Sequence, residues 1–196
     1  MDVEQTFLGA LREIAEIPDE EWAYLKPYIQ WETLEKGHVL LRNGERCEHI
    51  YFCASGMLRM YYHTEEGGEY NKSFIKERGF FTSYSSLILS IPSYFSIQSM
   101  ASSVVASFPG RILDHLFQRH SCWETVGRKL VEQLYIKKEL KERQLLLYSA
   151  EDRYRMFLKE YPDLNRRIPQ YHIASYLGIT PVSLSRLKKM IDGPCN

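Results

Sequence analysis

The residue types best suited to recognition chemistry gather near the C-terminal end, where Thr180, Val182, Ser183, Ser185, Arg186, Lys188 and Lys189 form one short run. A guanidinium can fork onto the two acceptors of a guanine edge, and an ammonium can neutralise a phosphate. Short hydroxyl side chains donate to phosphates or bases where two surfaces approach closely. Gln170, a little upstream, adds an amide able to do the same. These groups suit reading a duplex, not making or breaking bonds. The six histidines (His38, His49, His63, His115, His120 and His172) form no H-x-H pair, and no G-x-S-x-G, phosphate loop or H-E-x-x-H occurs. Cys47, Cys53, Cys122 and Cys195 lack C-x-x-C spacing, which argues against a zinc knuckle, an iron–sulfur cluster or a disulfide framework. No enzyme activity, metal site or cofactor is expected.

A helix-turn-helix pattern positions the run, spanning IPQYHIASYLGITPVSLSRLKKMI at residues 168–191. Pro169 can start a helix, because its missing N–H would have been an orphan. Ile173, Ala174 and Leu177 then share a face, and Ala174 is small enough for a close helix crossing. Gly178 stands where a tight helix exit calls for positive φ. Ile179 plugs the turn, and Thr180-Pro181 reads as N-cap and N1 of a second helix. There Leu184, Leu187 and Ile191 face a core, leaving Val182, Ser183, Arg186 and Lys189 largely on the other side. A plain helical hairpin with a solvated charged face shares the helix–glycine–helix spacing. The capped second helix with cations on its outer face favours entry into a major groove.

The rest of the chain divides by texture. Residues 4–16 and the stretch from Pro18 towards Tyr28 read as amphipathic helices. From Ile29 to Pro109 short segments rich in Tyr, Phe, Ile and Val alternate with glycine turns, the signature of an antiparallel sandwich or small barrel. Candidate strands are 29–34, 38–41, 50–53, 57–63, 70–75, 96–100 and 104–108. After Gly110 the chain turns helical, and 122–149 contains no proline; as one helix it would run about 40 Å. Trp123, Val126, Leu130, Gln133, Lys137, Leu140, Gln144 and Leu147 alternate steps of three and four along it, which is a heptad seam. Such a helix can cover the β domain or pair with a copy of itself, and pairing is the preferred reading.

The zero net charge conceals an asymmetry. Residues 1–120 hold 11 Lys/Arg against 16 Asp/Glu, a net −5; residues 121–196 hold 14 against 9, a net +5. A basic back half suits a polyanionic partner. No stretch is apolar enough for a membrane span, and the acidic N-terminus is unlike a signal peptide, so no membrane partner and a cytoplasmic location are expected.

This order of helical lead, β-roll, long helix and terminal helix-turn-helix resembles the Crp–Fnr superfamily over essentially the whole chain. Arg153-Tyr154, Tyr161-Pro162, Ile168-Pro169-Gln170, Ile173-Ala174-Ser175-Tyr176-Leu177-Gly178-Ile179-Thr180 and Ser183-Leu184-Ser185-Arg186 are similar to its Bacteroidetes-type branch. The resemblance implies an α+β protein with a jelly-roll-like β-barrel of the cyclic-nucleotide-binding type. It divides the chain into a sensor domain (1–120), a dimerisation helix (121–149) and an all-α helix-turn-helix domain (150–196). It further implies a homodimer on palindromic double-stranded DNA, with RNA polymerase as a further partner. Val182, Ser183 and Arg186 match the family's base-reading places.

Two departures qualify it. Family members that bind cyclic nucleotides carry Gly-Glu and, later, Arg-Ser/Thr in the roll; here Gly79 precedes Phe80 and Pro92 precedes Ser93-Tyr94. A buried phosphate without a guanidinium would leave its charge unpaired, so a cyclic nucleotide is not the expected effector. A less polar small-molecule effector among Phe81, Thr82, Ser83, Tyr84, Ser93, Tyr94 and Phe95 is one reading, and a filled roll is the other. The family's β-hairpin wing also has too little chain after Ile191, so the helix-turn-helix is expected to lack a full wing. The competing function is a cyclic-nucleotide or other small-ligand sensor whose C-terminal helices dock a protein partner.

Overall fold

Asp2 caps the first helix: its carboxylate accepts from the amides of Glu4 at 3.0 Å and Gln5 at 3.4 Å, satisfying two orphan donors. That helix, α1 (Val3–Ile14), buries Phe7, Leu8, Ala10 and Leu11. α2 (Asp19–Leu25) follows and tightens into a 3-10 turn at Lys26–Tyr28. The structure, a computed structural model, describes residues 2–192.

The β region forms two four-stranded sheets. Its strands are β1 (Gln30–Leu34), β2 (Val39–Leu41), β3 (His49–Ser55), β4 (Leu58–His63), β5 (Glu69–Ile75), β6 (Gly79–Phe81), β7 (Ser96–Ser99) and β8 (Ser103–Pro109). One sheet has the order β1-β8-β3-β6, the other β2-β7-β4-β5. The β1–β8, β2–β7, β3–β6 and β3–β8 pairs are antiparallel. The side-chain period of two sorts β3 between two cores. Tyr51 and Cys53 join Leu34, Phe81 and Val105 against Leu41, Leu58, Met60, Ile75 and Ile97 of the other sheet. Phe52 and Ala54, on the opposite face, meet Phe7 and Leu11 of α1. The inner strands β3 and β8 of the first sheet are therefore covered on both sides, whereas β1 at its edge leaves Gln30, Glu32 and Thr33 exposed. Gly56 turns β3 into β4 at φ +94°, and a Cβ there would come within 2.6 Å of the Ser102 carbonyl oxygen. Only glycine fits that approach without a shift.

The α+β class and the jelly-roll-like antiparallel core are as expected, in the form of two hydrogen-bonded sheets sharing one interior. Two elements there were not anticipated: the three-residue strand β6 and α3 (Tyr84–Leu89). β6 is anchored by its partner, with Phe81 opposite Tyr51 and Phe80 opposite Phe52, a pairing no local pattern reveals.

Beyond β8 the chain is helical: α4 (Leu113–Arg119), α5 (Ser121–Leu147), α6 (Ala150–Glu160), α7 (Leu164–Arg167), α8 (Gln170–Leu177) and α9 (Pro181–Asp192). α5 stops two residues short of the expected Ser149, because that residue caps α6. Its hydroxyl accepts from the Asp152 amide at 3.1 Å and donates to the Asp152 carboxylate at 2.6 Å, a side-chain cap that ends one helix and starts the next. Among the described residues no helix is long and apolar enough to cross a membrane. The expectation of a missing wing concerns residues after Asp192, which lie outside the described residues.

The chain forms two compact units: residues up to Met60 join Phe74–Leu134, and Tyr61–Ser73 join the residues from Tyr135 onward. The second unit has its own core of Tyr154, Phe157, Tyr161, Leu164, Ile173, Ala174, Tyr176, Leu177 and Leu184. Phe157 lies 5.3 Å from Tyr161 and 5.7 Å from Tyr176, ring centre to ring centre. The tip of the β4–β5 hairpin belongs to this unit and grips α8. The Asn71 amide donates to the Ser175 hydroxyl at 2.8 Å, and that hydroxyl donates to the Glu69 carbonyl at 2.9 Å. The Asn71 side-chain amide donates to the His172 carbonyl at 3.1 Å and lies 3.1 Å from its Nδ1.

Candidate nucleic-acid interface

The turn between α8 and α9 is built as its residue types require. Gly178 adopts the left-handed conformation at φ 67°, ψ 38°. The amide of Ile179 then reaches back to the Ala174 carbonyl at 3.0 Å, closing the end of α8. Thr180 caps α9, its Oγ1 accepting from the Ser183 amide at 3.1 Å. Leu184 is fully enclosed in the unit's core, and Leu187 and Ile191 are half-buried on the same face. α9 is thereby held by its apolar side with its other side free.

The expected contact residues divide by what they do in the fold. Val182, Ser185, Arg186 and Lys189 are exposed on one face of α9. Thr180 is exposed as well, but its hydroxyl is engaged in the cap and lies 3.0 Å from the Ser183 hydroxyl. Ser183 is half-buried. Lys188 sits at the edge of the face, its Nζ donating to Asn165 Oδ1 of α7 at 3.3 Å. Gln170 turns inward: its Nε2 donates to the Asn165 carbonyl at 3.4 Å, and its Oε1 is buried with no partner among the described residues. Gln170 thus ties α7 to the start of α8 and offers the exterior little.

In the roll, the candidate pocket residues separate in the same way. Phe81, Ser83, Ser93 and Phe95 are buried, Thr82 is half-buried, and Tyr84 and Tyr94 are exposed. Ser93 Oγ donates to the Phe95 carbonyl at 2.8 Å and is hydrogen-bonded to Ser83 Oγ at 2.9 Å. Ser86 Oγ donates to the Ile91 carbonyl at 2.6 Å and accepts from the Cys47 amide at 2.8 Å. Phe81 stacks on Tyr51 with ring centres 5.3 Å apart. Phe80, which follows Gly79, points the other way and packs 5.4 Å from Phe7 and 4.8 Å from Phe52. The polar groups between β6 and β7 are therefore small, neutral and bonded to one another.

Residues 31–120 match the family described as cyclic nucleotide-binding domain. Among solved structures, FixK2 from Bradyrhizobium japonicum superposes with a TM-score of 0.70 at 19% identity, covering 84% of this chain and 84% of that one. A protein from Eubacterium rectale described as a transcriptional regulator of the Crp/Fnr family gives 0.70 at 15% identity over 90% of this chain and 85% of that one. The catabolite activator protein of Thermus thermophilus gives 0.58 at 17% identity over 93% and 86%. The chain has the fold of the Crp/Fnr regulators. No curated protein matches the sequence.

Within this Crp/Fnr fold, α5 does not present the heptad seam to solvent along its whole length. Trp123 and Val126 are buried in the first unit's core, and Leu130 packs against it. The Trp123 indole donates to a buried Glu21 carboxylate at 2.9 Å. Lys137 donates to the Tyr161 hydroxyl at 3.1 Å. Gln144 is half-buried, whereas Gln133, Leu140 and Leu147 are exposed. The apolar side chains that α5 leaves in solvent are Val131, Leu134, Tyr135, Ile136, Leu140 and Leu145–147. Tyr135 is 67% exposed.

Lys141 carries a titration that sequence reading missed. Its Nζ lies 3.4 Å from the centre of the Tyr176 ring and donates to the Tyr176 carbonyl at 2.9 Å. Burial lowers its pKa to about 8, with Arg153 and Lys137 adding to the shift and Glu160 opposing it. Lys72 is lowered to about 8 as well, by burial and by Lys138. The unfolded chain keeps these protons until about pH 10.5, so between roughly pH 8 and 10 it binds more protons than the folded chain. Stability therefore rises with pH through that window. Above it Tyr161 and Tyr176, whose pKa values burial pushes up, reverse the trend. The denaturation midpoint, followed by far-ultraviolet circular dichroism, is expected to increase from pH 7.5 to 9.5. Lys141→Met should flatten that increase; an undiminished increase in a variant that also replaces Lys72 would refute the assignment.

Proposed function

We propose that this chain is a cytoplasmic DNA-binding transcription regulator of the Crp/Fnr type. It acts as a homodimer that places Thr180–Met190 of each protomer in the major groove of a palindromic operator. The reading rests on α9: a capped helix locked in place through Leu184, presenting Val182, Ser185, Arg186 and Lys189 outward. Pairing of two copies would cover the exposed apolar stripe of α5 around Val131, Tyr135, Ile136 and Leu140. Two-fold symmetry then sets the half-sites about 34–36 Å apart.

The effector is not a cyclic nucleotide on this reading. The buried polar side chains between β6 and β7 are hydroxyls bonded to one another and to backbone carbonyls, and a cyclic phosphate needs a guanidinium among them. The roll then answers to a less polar small molecule or serves as a filled scaffold, with RNA polymerase the partner through which bound protein acts.

A second reading has one observation in its favour. Val182 and Met190 are large, apolar and exposed on α9, as a protein-docking helix would have them. Duplex binding measured against salt separates the two. A protein neutralising 6–10 phosphates loses about 10³-fold or more in affinity between 50 and 200 mM salt. Absence of binding at 50 mM to a pool of random 30-bp duplexes would reject the DNA reading. In the same assay, 1 mM cyclic AMP is expected to leave affinity unchanged.

A further inference from the structure

The short helix α7 is fastened to both helices of the helix-turn-helix through a single residue. Asn165 accepts from Gln170 Nε2 of α8 through its carbonyl at 3.4 Å, and from Lys188 Nζ of α9 through Oδ1 at 3.3 Å. Ile168, just after α7, and Leu164, at its start, are buried in the same unit. α7 is therefore fastened beside α9, as a shelf on the edge where Lys188 sits. Arg166 projects from that shelf. It is exposed, and among the described residues no carboxylate pairs with it. Arg186 and Lys189 on α9 are also exposed cations without a carboxylate partner among the described residues.

Unpaired cations on a fixed shelf flanking a groove-entering helix match the one feature every duplex presents at that place, the phosphate backbone bordering the groove. We infer that Arg166 is a phosphate contact that widens the DNA interface beyond α9. This rests on the reading of α9 as the recognition helix. Arg166 contributes affinity and register but no sequence preference, because a phosphate looks the same under every base pair. Asn165 and Gln170 act as positioning residues, holding the shelf against α8 and α9.

The test uses the full chain, a duplex enriched from a random 30-bp pool on the parent protein, and a scrambled duplex of the same composition. Arg166→Ala is expected to weaken both duplexes by the same factor, roughly 3- to 10-fold at 100 mM salt. It should also reduce the slope of log affinity against log salt by about 0.9 per protomer, the release of one phosphate's counterions. Arg166→Lys should restore most of both effects, since a point charge suffices at phosphate. Unchanged thermal melting of Arg166→Ala would show that the shelf is intact. If affinity and slope match the parent while Arg186→Ala weakens the enriched duplex, Arg166 is a solvated surface charge and the inference fails alone. If the parent binds neither duplex, the DNA reading fails with it. A loss confined to the enriched duplex would place Arg166 on a base and also overturn the inference.

Discussion

Arg186→Ala is expected to bind a selected operator roughly 5- to 150-fold more weakly per half-site, which corresponds to about 1–3 kcal/mol for one bidentate base contact. Arg186 stands on the outward face of α9, with Leu184 beneath it sealed into the core. Its removal leaves no cavity and no stranded partner, so melting should not move. A scrambled duplex should lose far less, because only the operator offers the matching base edge. Arg186→Lys keeps the charge but lacks the fork, and should retain non-specific binding while losing much of the discrimination. Fluorescence anisotropy on the two duplexes checks this. Equal losses on both would make Arg186 a backbone contact, and no loss on either would remove α9 from the groove.

The second large effect is on stability. Phe7→Ala is expected to cost about 3–5 kcal/mol, the range for deleting a buried aromatic side chain. Phe7 has no exposed surface and sits within 6.3 Å of five other rings. The nearest is Phe52 at 4.8 Å, on the outer face of β3. Deleting the ring opens the seam between α1 and the sheet, and these neighbours are too well packed to collapse into it. Domains hold only about 5–15 kcal/mol in reserve, so roughly a fifth or more of the first unit's stability is at stake. Trp22 and Trp31 lie 5.8 and 6.3 Å from the Phe7 ring, and their fluorescence follows unfolding in urea. A loss below about 1 kcal/mol would mean that α1 is not part of this core.

What the sequence disclosed, it disclosed through local chemistry. Thr180-Pro181, Gly178 and the spacing of Ile173, Leu177 and Leu184 each fix a cap, a turn or a face within a few residues. The turn at 178–180 could accordingly be drawn before any coordinates. The strands from β1 to β5, β7 and β8 were visible for the same reason: runs of Tyr, Val, Ile and Phe between glycine turns. β6 was not, since three residues carry no period and Gly79-Phe80-Phe81 is a strand only because β3 lies beside it. α5 shows a different limit. Heptad spacing cannot say what covers a seam: Trp123 and Val126 are covered by their own core, and only Leu140 and Leu147 of the seam are among the apolar side chains that α5 leaves in solvent. Gln170 illustrates the same point for a polar group. Its amide is a plausible contact on paper, yet it is used within the fold to hold α7.

The β4–β5 hairpin also bears on how the molecule is made. Its Asn71 amide waits for the hydroxyl of Ser175, 104 positions later in the chain. At the usual synthesis rate of about 5–20 residues per second, that interval is roughly 5–20 s. During it the hairpin tip has left the ribosome without the helix it will grip. Part of the second unit is thus translated well before the rest, and the unit can close only once α8 has been made. Closing so long a loop taxes the folding rate more than the final stability.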